Sequence, residues 1–465
     1  MNLDHPARIV RGQSLPADTP HVPALIVGGG ACGMTAAVRL RLAGIDCVVL
    51  ERDAMPQGST ALSSGFIPAA ETRLQKSLGI EDSIELFARD VQAKAHGRSA
   101  PHLVEAYTRG VAQAIDMLEA QGITFEVLDG FLYPGHSARR MHAVPEHTGA
   151  ALVAALERTA TAVGADVLTE ALVRELWLDA HDRVTGVGFE RADGQMEYIA
   201  CDALILACNG FGGNTAMVRQ MLPAMADAAF GGHVGNDGSA IAWGQALGAR
   251  LADLTAYQGH GSWVTPQGAL MTWAFIMQGG VQINAEGRRF HDETHGYSEA
   301  SEFVLQQPGS IAWNVFDGPL LELVRTFPDF VEAEKAGALR SAPDLAALAA
   351  LIGCEPEVLA QTLAEVAPGR PDAFGRTFKR SLQAPYYAVK VTGALFHTQG
   401  GLDIDAQCRV LSGQGQSMPN LLASGGAARG VSGDAVWGYL SGNGLLSALG
   451  GGWVAAGTVI DQLRT

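Results

Sequence analysis

Ala24-Leu-Ile-Val-Gly28-Gly29-Gly30-Ala31-Cys-Gly33-Met-Thr-Ala36-Ala37, continued by Cys47-Val-Val-Leu50 and closed by Glu51, decides how this chain folds. It reads as an apolar strand, a glycine turn, a helix, a second apolar strand and a carboxylate. That is the order of a dinucleotide-binding βαβ unit. Gly28 permits the tight turn, Gly30 lets the backbone approach a pyrophosphate, and Gly33 lets the helix lie close on the sheet. The helix start at Ala31 offers unpaired N–H groups and the positive end of a dipole to phosphate. Glu51, 18 residues past Gly33, stands where a carboxylate takes ribose hydroxyls.

Working outward, the composition narrows the function. A chain of 465 residues, 48% hydrophobic and 17% charged, is long and apolar enough for more than one domain. Acidic residues number 48 against 32 basic ones, with no basic run, which excludes nucleic acid as an expected partner. The six cysteines are scattered without a C-x-x-C pair, the pattern of buried thiols in a reducing compartment; no metal site is expected. Residues 1–22 are polar and carry no apolar signal core, so the expected location is cytoplasmic. Residues 436–460 are uncharged but rich in glycine, and read as a buried helix-and-turn segment, not a membrane span.

Further along, Gln57-Gly-Ser-Thr-Ala-Leu-Ser-Ser-Gly65 is small and hydroxyl-rich, as backbone must be to reach the edge of a flat aromatic cofactor. Residues 81–122 have helical periodicity, and residues 166–200 alternate as short strands. A second apolar strand runs into glycines at Leu204-Ile-Leu-Ala207-Cys208-Asn209-Gly210. Residues 250–385 are richer in aromatics and histidine and read as an insertion. The expected architecture is α/β: a Rossmann-like, three-layer domain with a parallel sheet from residues 1–252 and 384–465, and an α+β cap from residues 253–383.

At this point the chain resembles the fumarate reductase/succinate dehydrogenase flavoprotein superfamily over nearly its whole length. The matching pieces, in order, are the glycine fingerprint, Gly58-Ser-Thr-Ala-Leu-Ser-Ser-Gly65, Leu206-Ala-Cys-Asn-Gly210-Phe-Gly-Gly, Gly235-Asn-Asp237-Gly238 and Ile283-Asn284-x-x-Gly287-Arg288-Arg289-Phe290-x-Asp292-Glu293. They continue with Thr398-Gln-Gly-Gly-Leu402-x-Ile-Asp405, Asn420-Leu-Leu-Ala-Ser-Gly425-Gly426 and Gly442-Asn443-Gly444-Leu445. The resemblance implies non-covalent FAD, with substrate between the cap and the isoalloxazine ring, and hydride transfer between a substrate carbon and flavin N5. It implies that FAD is held by Gly28, Gly30, Ala31, Gly33, Glu51, Arg52, Ser59, Thr60, Leu62, Ser63, Ser64, Gly65 and Val173. The set continues with Ala207, Cys208, Asn209, Gly210, Asn214, Asp237, His397, Gly425, Gly426, Asn443, Gly444 and Leu445.

The departures from the fumarate reductases are chemically pointed. Tyr297 stands where they carry a proton-delivering arginine, Tyr439 where they carry a second arginine, and Trp273 where they carry a relay glutamate. Their substrate histidine falls at Phe396 or His397, while His260 persists. A site without those arginines lacks the charge-assisted forks that a dicarboxylate requires. The two tyrosines are similar to those of 3-ketosteroid dehydrogenases. That resemblance implies removal of an α-proton by Tyr297 and stabilisation of the developing enolate by the Tyr439 hydroxyl and the N–H of Asn443. Because a free phenol has a pKa of about 10, Tyr297 needs a cationic or hydrogen-bonding neighbour; His260, His295, Arg139 and Tyr133 are the candidates. The expected catalytic set is therefore Tyr439, Tyr297, His260, Tyr133 and Asn443. A shorter cap than that of the ketosteroid enzymes argues for a smaller ketone. A tricarballylate-like polycarboxylate dehydrogenase, with Arg139 or Arg140 as anion clamps, and a fumarate-reductase-type alkene reductase are the rivals, ahead of a non-catalytic flavoprotein subunit. The expected partners are a small oxo substrate and an electron acceptor (oxygen, quinone or a carrier), with the chain a monomer or small homo-oligomer.

Overall fold

The strand His21–Val27 is sandwiched between two parallel neighbours, and its residues Ala24, Leu25 and Ile26 are wholly buried. A strand covered on both faces reads as a continuous apolar run, which is why the alternating pattern is absent there. The computed structural model describes residues 8–128 and 132–464; residues 1–7 of the polar N-terminal segment lie outside them. On one side, Ala24 to Val27 pair in register with Cys47 to Leu50, and Cys47–Leu50 pairs in turn with Asp166–Leu168. On the other, Ala24 to Val27 pair with Ala203 to Leu206 at the end of the strand Met196–Leu206.

Met196–Leu206 is long enough to serve two regimes. Its first half pairs antiparallel with Val184–Arg191, and its last residues, Leu204 to Leu206, pair parallel with Leu421 to Ala423. The sheet of nine strands thus has the expected parallel core. It is extended by an antiparallel pair, Ala171–Leu178 with Val184–Arg191, and edged by Arg8–Arg11. Helices Ala31–Leu42, Pro101–Ala120 and Gly451–Arg464 pack on one another beside it. Residues 443–464 are long and apolar enough to cross a bilayer, yet 61% of the most apolar stretch is buried inside the protein, as a core helix is.

The chain divides into two units. The larger takes the described residues up to 222, together with 232–257 and the chain from 397 onward; the smaller takes 223–231 and 258–396. The expected boundaries at 252/253 and 383/384 therefore shift. The smaller unit's sheet is built around Tyr386–Thr398, which pairs with Ala312–Asp317, Leu339–Ala342 and Ala229–Phe230. Residues 384–396 and the short segment at 229–230 thereby belong to its sheet. Its core is aromatic and aliphatic, with Phe275, Val304, Phe316 and Phe330 at zero exposure. Hydrophobic pattern shows a strand but not its partners, which is why the boundary moved.

Candidate active site

In the larger unit the glycine turn is closed by contacts that no side chain could survive. Gly28 has φ +108°, and a Cβ there would lie 2.5 Å from the carbonyl oxygen of Ala207. A Cβ on Gly33 would lie 2.0 Å from the carbonyl oxygen of Gly28. Gly30, by contrast, is open on its Cβ side, with Thr60 Oγ1 nearest at 3.6 Å. Gly30 caps the helix Ala31–Leu42 without a side-chain bond, and the N–H groups of Cys32 and Gly33 have no hydrogen-bond partner among the described residues. Ala31 N–H donates to Thr60 Oγ1 at 3.3 Å.

Glu51 anchors this turn. Its two carboxylate oxygens accept the Gly29 N–H at 2.8 Å and the Asp53 N–H at 3.0 Å. Burial raises its pKa, and those two N–H groups oppose the rise. Arg52 donates to the Gly235 carbonyl at 2.8 Å and to Asp237 at 3.2 Å. Asn214 caps the helix Thr215–Met221 and donates to the Asp237 carbonyl at 3.0 Å. Ser59 Oγ accepts from Asn209 at 2.9 Å and from Asn236 at 2.8 Å, tying the hydroxyl-rich loop to the second and third glycine segments.

Ser63 accepts from the Gly149 N–H through its carbonyl and holds Gly65 N–H at 3.1 Å through its hydroxyl, so this loop is braced from within. Val173 is buried in its strand, while Leu62 is 55% exposed. Ala207 and Cys208 follow the strand Met196–Leu206, and burial drives the Cys208 thiol up to about 12, so it stays protonated and inert. Gly425 lies against Cys32, and Gly426 lies between Asn209 and His397: a Cβ there would meet Asn209 Oδ1 at 2.0 Å and His397 Nε2 at 2.9 Å.

These residues fit FAD: the uncapped N–H groups and open Gly30 would take a pyrophosphate, Glu51 a ribose, and the glycine backbone the edge of the ring. Asn236, Gln399 and Ser432 were missed from the sequence. Asn236 sits inside the Gly235-Asn-Asp237-Gly238 motif, and its amide is the signal the sequence offers.

Tyr439 is 5% exposed, and its hydroxyl lies 3.7 Å from where a Cβ of Gly444 would stand. The expected partner for it changes. The Asn443 N–H is spent on the Leu440 carbonyl at 3.0 Å, closing the turn that precedes the helix. The N–H of Gly444, the next residue, has no partner among the described residues. Leu445 follows in that turn, and a π-helical turn over Leu446–Gly450 widens the helix directly after it, a distortion that recurs at functional sites. Tyr133, half-buried, lies edge-on to Phe66 with ring centres 6.0 Å apart.

In the smaller unit, His260 stacks on Tyr297 with ring centres 4.7 Å apart and planes at 20°. Trp273 meets His260 edge-on at 5.7 Å, and Phe396 flanks it at 5.6 Å. Burial lowers the His260 pKa to about 3, so the ring is neutral. Its Nδ1 accepts the Ser262 N–H at 3.1 Å, which leaves the proton on Nε2. His260 is thus no cation for Tyr297; it offers an apolar face. Tyr297 begins the helix Tyr297–Leu305, while His295 is exposed and faces Asp292 at 3.7 Å. Trp273 and Ile276 are buried as the apolar residues they were expected to be.

The three buried arginines among the described residues are all paired with carboxylates. Arg140 bonds Asp82 at 2.8 Å and Asp90 at 2.5 Å. Arg289 bonds Glu293 at 2.6 Å as well as Asp372, and Arg376 bonds Glu293 at 2.8 Å. Arg140, expected as an anion clamp under the polycarboxylate alternative, is therefore committed: its two acids neutralise it and it is 1% exposed. His136 is locked beside it, donating Nε2–H to the Ser441 carbonyl at 2.9 Å, and its pKa is lowered to about 4 by burial and by Arg140. Arg139 stays exposed on the surface of this loop.

Set against known proteins, residues 24–445 match the family model described as "FAD binding domain". The chain is 27% identical over 426 residues to "Probable fumarate reductase Ifc3" of Shewanella frigidimarina, covering 90% of this chain and 71% of that protein. Among solved structures, an open conformation of a flavocytochrome c3 fumarate reductase superposes with TM-score 0.81 at 25% identity, covering 97% of this chain and 80% of that one. A 3-ketosteroid-Δ4-(5α)-dehydrogenase from Rhodococcus jostii RHA1 shares the fold with TM-score 0.77 at 23% identity, covering 97% and 99%.

Proposed function

Because the chain belongs to the FAD binding domain family and is an FAD-dependent oxidoreductase of carbon–carbon bonds, we propose that its substrate is a small, uncharged carbonyl compound, a cyclic ketone in the first instance, which it desaturates α,β to the carbonyl. The observation that motivates this reading is the buried Tyr439 hydroxyl, 3.7 Å from where a Cβ of Gly444 would stand, next to a turn whose Gly444 N–H has no partner among the described residues. Two such donors are what a carbonyl oxygen needs as it becomes an enolate. A carboxylate would demand arginine instead, and the buried arginines are already neutralised.

The Tyr439 hydroxyl and Gly444 N–H hold the carbonyl oxygen and lower the acidity barrier at the α-carbon. Tyr297, as its phenolate, takes the α-proton and becomes the phenol, which must lose that proton to solvent before the next turnover. The neutral rings of His260, Trp273 and Phe396 exclude water and offer flat apolar faces to an uncharged ring. FAD, when bound without a covalent link, supplies the acceptor for the hydride that leaves the β-carbon.

A second reading, reduction of an activated alkene, is favoured by one observation: a relative and a solved structure that the chain resembles over most of its length are both named as fumarate reductases. One experiment separates the two. Anaerobic addition of saturated cyclic ketones to the oxidised enzyme is expected to bleach the flavin's visible absorption. Bleaching by di- or tricarboxylates alone would overturn the ketone reading. Reoxidation of the reduced enzyme by fumarate but not by cyclic enones would establish the second.

A further inference from the structure

His397 ends in a chain of side-chain hydrogen bonds that lies wholly within the larger unit and that no step above uses. Asn443 Nδ2 donates to Ser432 Oγ at 3.0 Å, Ser432 Oγ donates to Gln399 Oε1 at 2.8 Å, and Gln399 Nε2 donates to His397 Nδ1 at 2.7 Å. Gln399 itself is 3% exposed, and its backbone is held at both ends. Its N–H donates to the Ala256 carbonyl at 2.9 Å, and its carbonyl accepts the Gly430 N–H at 2.8 Å. Neither the amide nor its two partners has room to turn freely.

The direction of the chain is set by what it leaves unpaired. As written, one atom is orphaned, the Asn443 Oδ1, in a residue with zero exposure. Reversing every bond would orphan the Asn443 amide N–H groups instead. A buried carbonyl oxygen tolerates a missing partner better than a buried N–H does. The imidazole therefore receives a donor at Nδ1 and carries its own proton at Nε2. That Nε2 lies beside Gly426 and Asn209, and it has no hydrogen-bond partner among the described residues.

We propose that Gln399, held by Ser432 and Asn443, is a positioning residue that fixes the tautomer of His397, so that Nε2 presents one neutral N–H donor into the glycine-lined cradle. The group it fits is a hydrogen-bond acceptor on the cofactor's ring system, a carbonyl oxygen or an unprotonated ring nitrogen. The proposal is independent of which substrate the enzyme takes. It makes Gln399 and Ser432 matter to the cofactor although neither is needed to touch it.

The test is nitrogen NMR of the holoenzyme labelled with 15N-histidine, with His397 assigned by the signals missing from His397→Asn. The expected wild-type spectrum has a protonated Nε2 and a bare Nδ1 that do not titrate between pH 6 and 8. A protonated Nδ1 in the wild type overturns the proposal. In Gln399→Glu the carboxylate accepts instead of donating, so the proton moves to Nδ1 and His397 begins to titrate within that range. The midpoint potential of the bound flavin then acquires a pH-dependent segment centred on the new titration. A Gln399→Glu enzyme whose His397 signals and potential–pH curve match the wild type also overturns it. Gln399→Leu keeps the test open if the glutamate expels FAD: His397 should show signals averaged between its two tautomers, whereas an unchanged Nε2–H signature refutes the role. A failed ketone reading would appear in the substrate panel and leave these spectra untouched.

Discussion

The glycine cradle of the larger unit and the ring cluster of the smaller unit are built from different materials. The cradle in the larger unit is mostly backbone: Gly28, Gly33 and Gly426 admit no side chain, and the polar groups around them are bonded to one another. The cluster in the smaller unit is mostly rings: His260, Tyr297, Trp273 and Phe396 pack face and edge. Backbone built this way tolerates almost no substitution, because a single methyl group meets a carbonyl oxygen. Packed rings tolerate exchange of one flat apolar group for another and change selectivity when they do. The contrast teaches where a flavoenzyme keeps its cofactor constant and where it can vary its substrate.

Gly33→Ala should break the comparison most severely. Its new Cβ would require the turn and the helix to separate, at a cost of about 1–3 kcal/mol or more. The flavin content per chain, read from visible absorbance, is expected to fall at least tenfold. Full flavin content in soluble protein would show that the cradle is less rigid than its contacts indicate. Next in size is Arg140→Met. This leaves Asp82 and Asp90 buried without their cation, a loss of about 3–5 kcal/mol in unfolding free energy measured by urea denaturation. If Arg140 instead clamped substrate, the variant would keep its stability and lose affinity for carboxylates.

Tyr439→Phe is expected to keep both fold and flavin while lowering the rate of anaerobic flavin reduction by a saturated ketone about 10- to 1,000-fold. An unchanged rate would remove the hydroxyl from the reaction.

The smallest effect is a pH slope. His260 is held neutral at about 3, and His136, His142 and His291 at about 4, all from an ordinary value of 6.5, with burial the main cause. Between pH 6.5 and 4 the unfolded chain binds protons that the folded chain refuses, so stability is complete above 6.5 and falls as the pH drops. Glu293, held at about 2 by Arg289 and Arg376 against burial, adds a loss of the same sign below 4.5. His260→Phe should flatten the dependence between pH 6.5 and 4 by about one proton, or ~1.4 kcal/mol per pH unit. Unfolding curves at pH 7 and pH 5 check it: an unaltered difference between them would mean that His260 is protonated in the fold.

Legibility followed the same division. Gly28 and Gly33 could be read from spacing alone, because a turn and a close approach each demand one residue type at one position; that the Glu51 carboxylate also braces the turn through the Gly29 and Asp53 N–H groups could not. Tyr297 and Tyr439 could be singled out as substitutions within recognised motifs, yet their environments could not. That His260 is a neutral ring stacked on Tyr297, that Arg140 is consumed by Asp82 and Asp90, and that the Asn443 amide is turned inward to Leu440 all depend on residues far apart in the chain or on a local turn. The expected role for the Asn443 N–H failed for that reason, and the amide of the next residue takes its place in the proposal.

What the sequence determined by itself is the set of backbone requirements: two glycine turns, an uncapped helix start, a buried parallel strand and the order in which they occur. These are local, since steric exclusion and strand pairing act over a few residues. Only the tertiary structure decided which charged groups neutralise one another, which strands belong to which unit, and how a line of amides and hydroxyls from Asn443 to His397 is oriented. Those are questions of partner choice, and a polar group's partner is found in space, not in sequence.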